Sequence, residues 1–213
     1  GVFVTGTDTG VGKTVVASLL TLGWPGAHYW KPIQCGADPA TDRDSVARAT
    51  GLSPDRILPE AYNLALPQSP HVAAAAEGAC IERARLALPR VEGPIVAEGA
   101  GGVLVPLNDR DTMADLMTWL DLPIVLVART QLGTLNHTLL SLEALRRRSL
   151  DLRLLVLNGP PVATTTATLR QWGRVPLLVE LPPLPPLTPA TLQAAWQKLS
   201  AQFPPAGVEA MFA

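Results

Sequence analysis

Gly6-Thr7-Asp8-Thr9-Gly10-Val11-Gly12-Lys13-Thr14 stands directly behind the short apolar run Val2-Phe3-Val4. Its spacing is that of a Walker A phosphate-binding loop set between a strand and a helix. The residue types follow from the task. Glycines let backbone N–H groups converge on phosphate oxygens, Lys13 can reach the β and γ phosphates, and the Thr14 hydroxyl can ligate Mg²⁺. A helix opening at Lys13 adds its positive dipole end to the same anion. Gly10, Val11, Gly12, Lys13 and Thr14 are therefore expected to hold a nucleotide, with Lys13 also acting on the transferred phosphate.

The rest of the chain has the pattern that carries such a loop. Strand-like runs at 2–5, 27–31, 94–98, 123–128, 152–158 and 175–181 alternate with helical patterns at 13–22, 42–50, 81–88, 112–120, 135–148, 164–172 and 189–201. Short, continuously apolar strands alternating with helices predict an α/β fold of the P-loop NTPase type, with a mostly parallel central sheet and helices on both faces. No repeat or second boundary is visible, so residues 1–213 read as one domain. In such sheets ligands gather at the carboxyl ends of the strands. The stretch 52–71 is punctuated by proline and lacks a period, which predicts a long loop serving the site. Thr112 and Asp115 read as a helix cap with an acidic first turn. Arg146-Arg147-Arg148 reads as a solvated helix end, and Pro182-Pro183-Leu184-Pro185-Pro186 as a rigid loop after the last strand.

Composition narrows the class. Lysine and arginine total 17 against 18 acidic residues, a net charge of −1, which leaves no electrostatic footprint for nucleic acid or an anionic membrane. No apolar run approaches the ~20 residues that span a bilayer. No basic segment precedes an apolar one at the start, and Cys35 and Cys80 form no CxxC, so a cytoplasmic enzyme with reduced thiols is expected. Of the basic residues only Lys13, Lys31 and Lys198 are lysine. A lysine in so arginine-rich a chain points to a need for a compact ammonium that a guanidinium cannot replace, which marks Lys31 before any comparison.

Following each strand to its carboxyl end brings out the remaining chemistry. The second expected strand ends in Lys31-Pro32, and the third in Glu98-Gly99-Ala100-Gly101-Gly102, a carboxylate followed by a glycine-rich bend. Glu98 is placed like a Walker B acid, able to bind Mg²⁺ directly or through water. Asp44, inside Asp42-Arg43-Asp44-Ser45, is a second candidate ligand, while Asp42 reads more simply as a helix cap. His71, in Ser69-Pro70-His71, reads equally as a substrate contact and as a structural residue ordering the loop.

Taken in order, Gly6 to Thr14, Trp30-Lys31-Pro32-Ile33-Gln34-Cys35-Gly36, Asp42 to Asp44, Ser69-Pro70-His71, Glu98 to Gly102 and Leu132-Gly133-Thr134-Leu135-Asn136-His137 resemble the dethiobiotin synthetases, ATP-dependent enzymes of biotin synthesis. The resemblance implies the following roles. Lys13 and Thr14 match the phosphate lysine and the Mg²⁺-binding threonine, and Asp44 and Glu98 match the acidic metal ligands. Lys31 matches the lysine beside the substrate carbamate and the γ-phosphate. Gly99, Ala100 and Gly101 lie against the nucleotide. Thr9, Cys35 and Gly133, Thr134, Leu135 and Asn136 match regions touching a diamino fatty acid, the last four from the neighbouring subunit of a homodimer. Asn158 matches an adenine-contacting Asn, and Pro182, Pro183 and Leu184 a loop lining the base. Cys35 stands where the family usually has Ser or Thr, a weaker donor at that place.

The implied activity is carboxylation of 7,8-diaminononanoate by CO₂ and ring closure to dethiobiotin, with ATP as co-substrate and Mg²⁺ as cofactor. The competing reading is a P-loop switch ATPase of the partitioning class, although position 8, where that class usually carries a second lysine, is Asp. A GTPase is disfavoured because Asn158-Gly159-Pro160-Pro161 is no guanine reader.

Overall fold

The computed structural model describes residues 1–36, 40–184, 186–205 and 207–212. In chain order the elements are β1 (Val2–Gly6), α1 (Lys13–Gly23), β2 (His28–Trp30), β3 (Ile33–Cys35), α2 (Asp42–Thr50), β4 (Ile57–Leu58), β5 (Tyr62–Leu64), α3 (Pro70–Ala76), β6 (Ile95–Glu98), α4 (Met113–Leu120), β7 (Ile124–Arg129), α5 (Thr134–Arg147), β8 (Leu152–Asn158), α6 (Ala163–Gly173), β9 (Leu178–Leu181), α7 (Pro189–Ser200) and α8 (Gly207–Met211). Seven strands form one sheet in the order β4-β2-β6-β1-β7-β8-β9. All of its pairings are parallel, with Val4 opposite Glu98 on one side and Val125 on the other.

Both faces of this sheet are covered, which is why its strands are continuously apolar. Val2, Val4, Val125, Val127, Leu154 and Val156 face one cluster, packed by α1, α2 and α7. Phe3, Ile124, Leu126, Ala128, Leu155 and Leu157 face the other, packed by α4 and α5. The period of two along each strand thus divides one apolar run between two cores.

Two expectations fail at the edge of the sheet. The stretch 52–71 contains β4, β5 and the start of α3, and β5 pairs with β3 in a separate two-stranded parallel sheet. Pro32 displaces the chain from β2 into β3, and its carbonyl accepts from both Ala61 and Tyr62 N–H at 3.0 Å, which sets the register of that small sheet. The helix expected over 81–88 is only a single 3₁₀ turn, Arg83–Arg85. Side chains fix the chain there instead. Arg85 lies 4.1 Å over the Tyr62 ring and donates to Ala61 O at 2.6 Å, while Arg83 lies over Trp119 at 5.2 Å. The Thr112/Asp115 capping box forms as expected. Arg146 does more than decorate a solvated end, because it donates to the carbonyls of Gly173 and Arg174 where α6 stops. In the proline-rich run, Pro185 lies outside the described residues.

The helix behind the phosphate loop is gripped by the last part of the chain. A Cβ added at Gly23 would sit 1.9 Å from the Trp196 indole, so α7 reaches α1 only because residue 23 has no side chain. Trp196 in turn meets Phe203 edge-on at 5.7 Å, and Trp24 stacks on Phe212 at 5.5 Å. Gly23→Ala is therefore expected to destabilise the fold by about 1–3 kcal/mol through overpacking, although alanine is the better helix former. Urea unfolding of Gly23→Ala beside Gly23→Ala/Trp196→Ala checks this. The two changes should be strongly non-additive, and additive losses would refute the contact.

Candidate active site

The carboxyl ends of β1, β2 and β6 meet in front of α1, and five polar side chains converge there. Lys31, one residue past β2, is only 5% exposed, and Glu98 at the end of β6 is 1% exposed. Lys31 Nζ lies 3.1 Å from Glu98 Oε1 and pairs also with Asp42 Oδ2. Thr14 Oγ1 lies 2.8 Å from Glu98 Oε1 and 3.2 Å from Asp42 Oδ1; its single proton goes to the nearer. Tyr29 donates to the other Glu98 oxygen at 2.8 Å. Burial alone would lower the Lys31 pKa, but Glu98 and Asp42 outweigh it and raise the value. Burial pushes the Tyr29 hydroxyl well above the ordinary phenol range, with the charge of Glu98 adding to it.

Lys13 is 7% exposed and, unlike Lys31, has no carboxylate partner among the described residues. Its ammonium donates to the Asp8 carbonyl at 2.9 Å. Burial brings its pKa down to about 8; the charge of Lys31 lowers it too, while Glu98 and Asp42 pull the other way. The loop therefore presents a desolvated cation without a fixed anionic partner, the condition in which an incoming phosphate gains most.

A cavity of about 660 Å³ opens over this cluster. Thr9, Gly10, Gly12, Lys13, Thr14, Lys31, Cys35, Glu98, Ala100 and Gly101 line it, joined by Asp42, Pro67, Gln68, Ser69, Pro70 and Val105. Of the remaining sequence-derived residues, Val11 is buried under the loop and anchors it in the core. Gly99 lies behind the cavity, where a Cβ would strike Phe3 at 2.9 Å. Burial raises the Cys35 thiol to about 11, so it faces the cavity as a neutral group and not as a nucleophile. His71, in the first turn of α3, keeps its Nδ1 buried without a partner.

The structure exchanges the expected places of the two aspartates. The helix cap of α2 is Thr41, and the Asp44 carboxylate turns back to accept from the Thr41 N–H and hydroxyl, both at 2.9 Å. Those bonds hold the Asp44 pKa below the usual carboxylate range and keep it outside the cavity. Asp42, one residue into the helix, instead points at Thr14 and Lys31, and its N–H is held by Gln34 Oε1 at 3.2 Å. Tyr29 and Gln34 escape sequence reasoning because a buried aromatic and an amide in strands look like core and edge residues. The one available signal was their place beside Lys31.

Two groups of expected residues lie elsewhere on the molecule. Asn158 ends β8 and bonds the phosphate loop from the side. Pro182, Pro183 and Leu184 line a second cavity of about 470 Å³ between β9 and α7, with Glu180, Lys198 and Gln202. Gly133, Thr134, Leu135 and Asn136 form the first turn of α5, outside the main cavity. The Thr134 hydroxyl donates to Arg129 O at 2.5 Å and its N–H to Gln131 O at 3.1 Å, so this turn offers outward the N–H groups around them and the exposed Asn136 side chain.

This fold and loop define a nucleotide-binding P-loop protein, and the AAA domain family model matches residues 1–191. The relatives are more specific. The ATP-dependent dethiobiotin synthetase BioD of Agrobacterium fabrum (strain C58) is 50% identical over 193 residues, 91% of either chain. The proteins of the same name from Novosphingobium aromaticivorans and Rhodopseudomonas palustris (strain HaA2) are 50% and 49% identical over 192 and 195 residues, each covering at least 90% of both chains. The chain belongs to the ATP-dependent dethiobiotin synthetase family.

Asp42→Asn is accordingly expected to cut ATP-dependent turnover by ~10²-fold or more, having removed a charge from the cluster. Asp44→Asn should cost about 1 kcal/mol of stability and leave turnover near wild type. Paired measurements of kcat and urea midpoint check the exchange, and the reverse pattern would restore the sequence-based assignment.

Proposed function

We infer that the protein carboxylates 7,8-diaminononanoate and closes the ureido ring to give dethiobiotin, ADP and phosphate. The observation carrying this reading is the pair Lys13 and Lys31 on one cavity, the first on the phosphate loop and the second beside Cys35 and Pro67–Pro70. A simple ATPase needs the first lysine only; a second, deeply buried ammonium suits an enzyme that brings two anions together.

In this reading one substrate amine takes up CO₂ as a carbamate. A carbamate oxygen attacks the γ phosphorus of ATP, and the bond to ADP breaks. The second amine then attacks the carbonyl carbon of the resulting carbamic-phosphoric anhydride; its C–N bond forms as the C–O bond to phosphate breaks. No enzyme nucleophile is required. Lys13 follows the γ-phosphoryl charge, Lys31 holds carbamate and phosphate oxygens at one place, and the loop N–H groups fix the line of attack.

The donor set suits Mg²⁺. Thr14, Asp42 and Glu98 supply hard oxygens, and the described residues hold no group of three or more His, Cys, Asp or Glu able to bind a metal unaided. That fits a cation which takes one or two carboxylates and completes its shell with phosphates and water. Bound there, Mg²⁺ would neutralise charge on the β and γ phosphates. For Asp42 and Glu98 to hold the cation, and for Lys31 to meet the carbamate, Lys31 has to loosen its pairing with both carboxylates.

A second copy of the chain completes the site in this reading. Leu132 is fully exposed, and Leu104 and Leu140 are more than half exposed around the start of α5. Such an apolar surface beside unspent helix N–H groups suits an interface delivering Gly133 to Asn136 to the carboxylate of the partner's substrate. Sedimentation velocity is expected to show a dimer that Leu132→Asp/Leu140→Asp dissociates with loss of turnover; a monomeric active wild type refutes it.

Lys31→Ala should lower kcat by ~10²- to 10³-fold with the fold intact. ATP hydrolysis should require both the diamine and bicarbonate. Hydrolysis at full rate without them would favour a switch ATPase, and wild-type turnover by Lys31→Ala would remove the lysine from the mechanism.

A further inference from the structure

Asn158 touches the phosphate loop in a way that recognition of a base does not need. Its Nδ2 donates to the carbonyl oxygen of Val11 at 2.9 Å. The approach is close enough that a Cβ at Gly12 would fall 2.0 Å from the same nitrogen, and Gly12 has φ +101, a conformation costly to any residue with a side chain. Gly12 also caps α1 with no side-chain bond to the helix. The glycine therefore serves the amide of Asn158 as well as the phosphates.

A trans peptide is planar, with its C=O and N–H pointing in opposite directions. The carbonyl of Val11 and the N–H of Gly12 belong to one such plane. Holding the carbonyl toward Asn158 turns the N–H of Gly12 the other way, toward the cavity that Gly12 helps to line. Among the described residues, two other side chains bond a backbone group of residues 8–12: Lys13 donates to the Asp8 carbonyl at 2.9 Å, and the Asp8 carboxylate, paired with Arg129 at 3.4 Å, accepts from the Thr9 N–H at 2.7 Å. Lys13 has to give up its bond to follow a phosphate and Asp8 reaches only as far as Thr9, so among the described residues the Asn158 bond is the side-chain tie on the Val11–Gly12 peptide. Its base is firm, because β8 is paired on both sides, with Asn158 opposite Arg129 of β7 and Leu181 of β9.

We propose that Asn158 is a positioning residue of the phosphate loop, aiming the Gly12 N–H at the nucleotide's phosphates through the Val11 carbonyl whatever contact it makes with a base. The proposal rests on the loop's binding of ATP. The test separates phosphates from base by titrating wild type, Asn158→Ala and Asn158→Asp with ATP and with inorganic tripolyphosphate by calorimetry. Losing one intramolecular hydrogen bond of this kind is expected to weaken both ligands about tenfold in Asn158→Ala. Asn158→Asp keeps the acceptor oxygen and sets a carboxylate against the carbonyl, so it should weaken both at least as much.

Hydrogen exchange of the ligand-free proteins supplies a readout that a general loss of structure would not mimic. Amides of the 6–14 segment should exchange faster in both variants, while those of β8 and α5 keep wild-type protection. Loss of ATP affinity alone, with tripolyphosphate binding and loop exchange unchanged, would overturn the proposal and leave Asn158 a reader of the base. Failure of wild type to bind tripolyphosphate while binding ATP would overturn it too. Wild type binding neither would show instead that the loop itself has been misread. If Asn158→Ala does not fold, the same readings on Asn158→Asp decide.

Discussion

Lys31, at 5% exposure, is kept charged against the cost of burial by two carboxylates, and that pairing constrains everything around it. Its partners come from different parts of the chain. Glu98 arrives on a central strand and Asp42 on the first turn of α2, and Thr14 and Tyr29 brace the two carboxylates from α1 and β2. Removing one member of such a buried set typically costs about 3–5 kcal/mol, because the other charges are left without compensation. The cluster thus fixes where β1, β2, β6, α1 and α2 end with respect to one another. The same arrangement that a reaction with two anions requires also adds to the stability with which these elements pack.

The phosphate loop meets a related constraint by other means. The positions that approach phosphate must be bare, so the loop is held away from them. It is anchored by its own Val11 buried beneath it, by the strand it leaves and by an amide on β8. Stiffness is thereby supplied by neighbours while the surface facing the ligand remains backbone.

Much of this could be read in the chain before its fold was known, and the part that could not has a physical cause. The phosphate loop is legible because its function resides in consecutive residues. Lys31 and Glu98 are legible because each follows an apolar run buried on both faces. Asp42 and Asp44 stand in the opposite places to those the sequence favours, since a helix turns about 100° per residue and the outcome depends on whether the cap falls on Thr41 or Asp42. Only the Thr41 bonds to Asp44 decide that. The strands β3 and β5 have three residues each and no period to detect. The apolar spacing at Ile81 and Leu86 imitates a helix, but both side chains are buried anchors of an irregular segment stacked through its arginines.

The grip of α7 and the following segment on α1 has a bearing on how the molecule comes to exist. The helix that carries Lys13 and Thr14 is made long before Leu192, Trp196, Leu199 and Phe212, which cover its outer surface. Its strand β1 likewise has to wait for β6 and β7. During synthesis α1 therefore stays without its α7 cover until the segment from residue 192 onward has followed it. Contacts of such long sequence separation make for slow folding. Nascent chains interrupted before residue 192 carry a phosphate loop whose helix lacks its α7 cover.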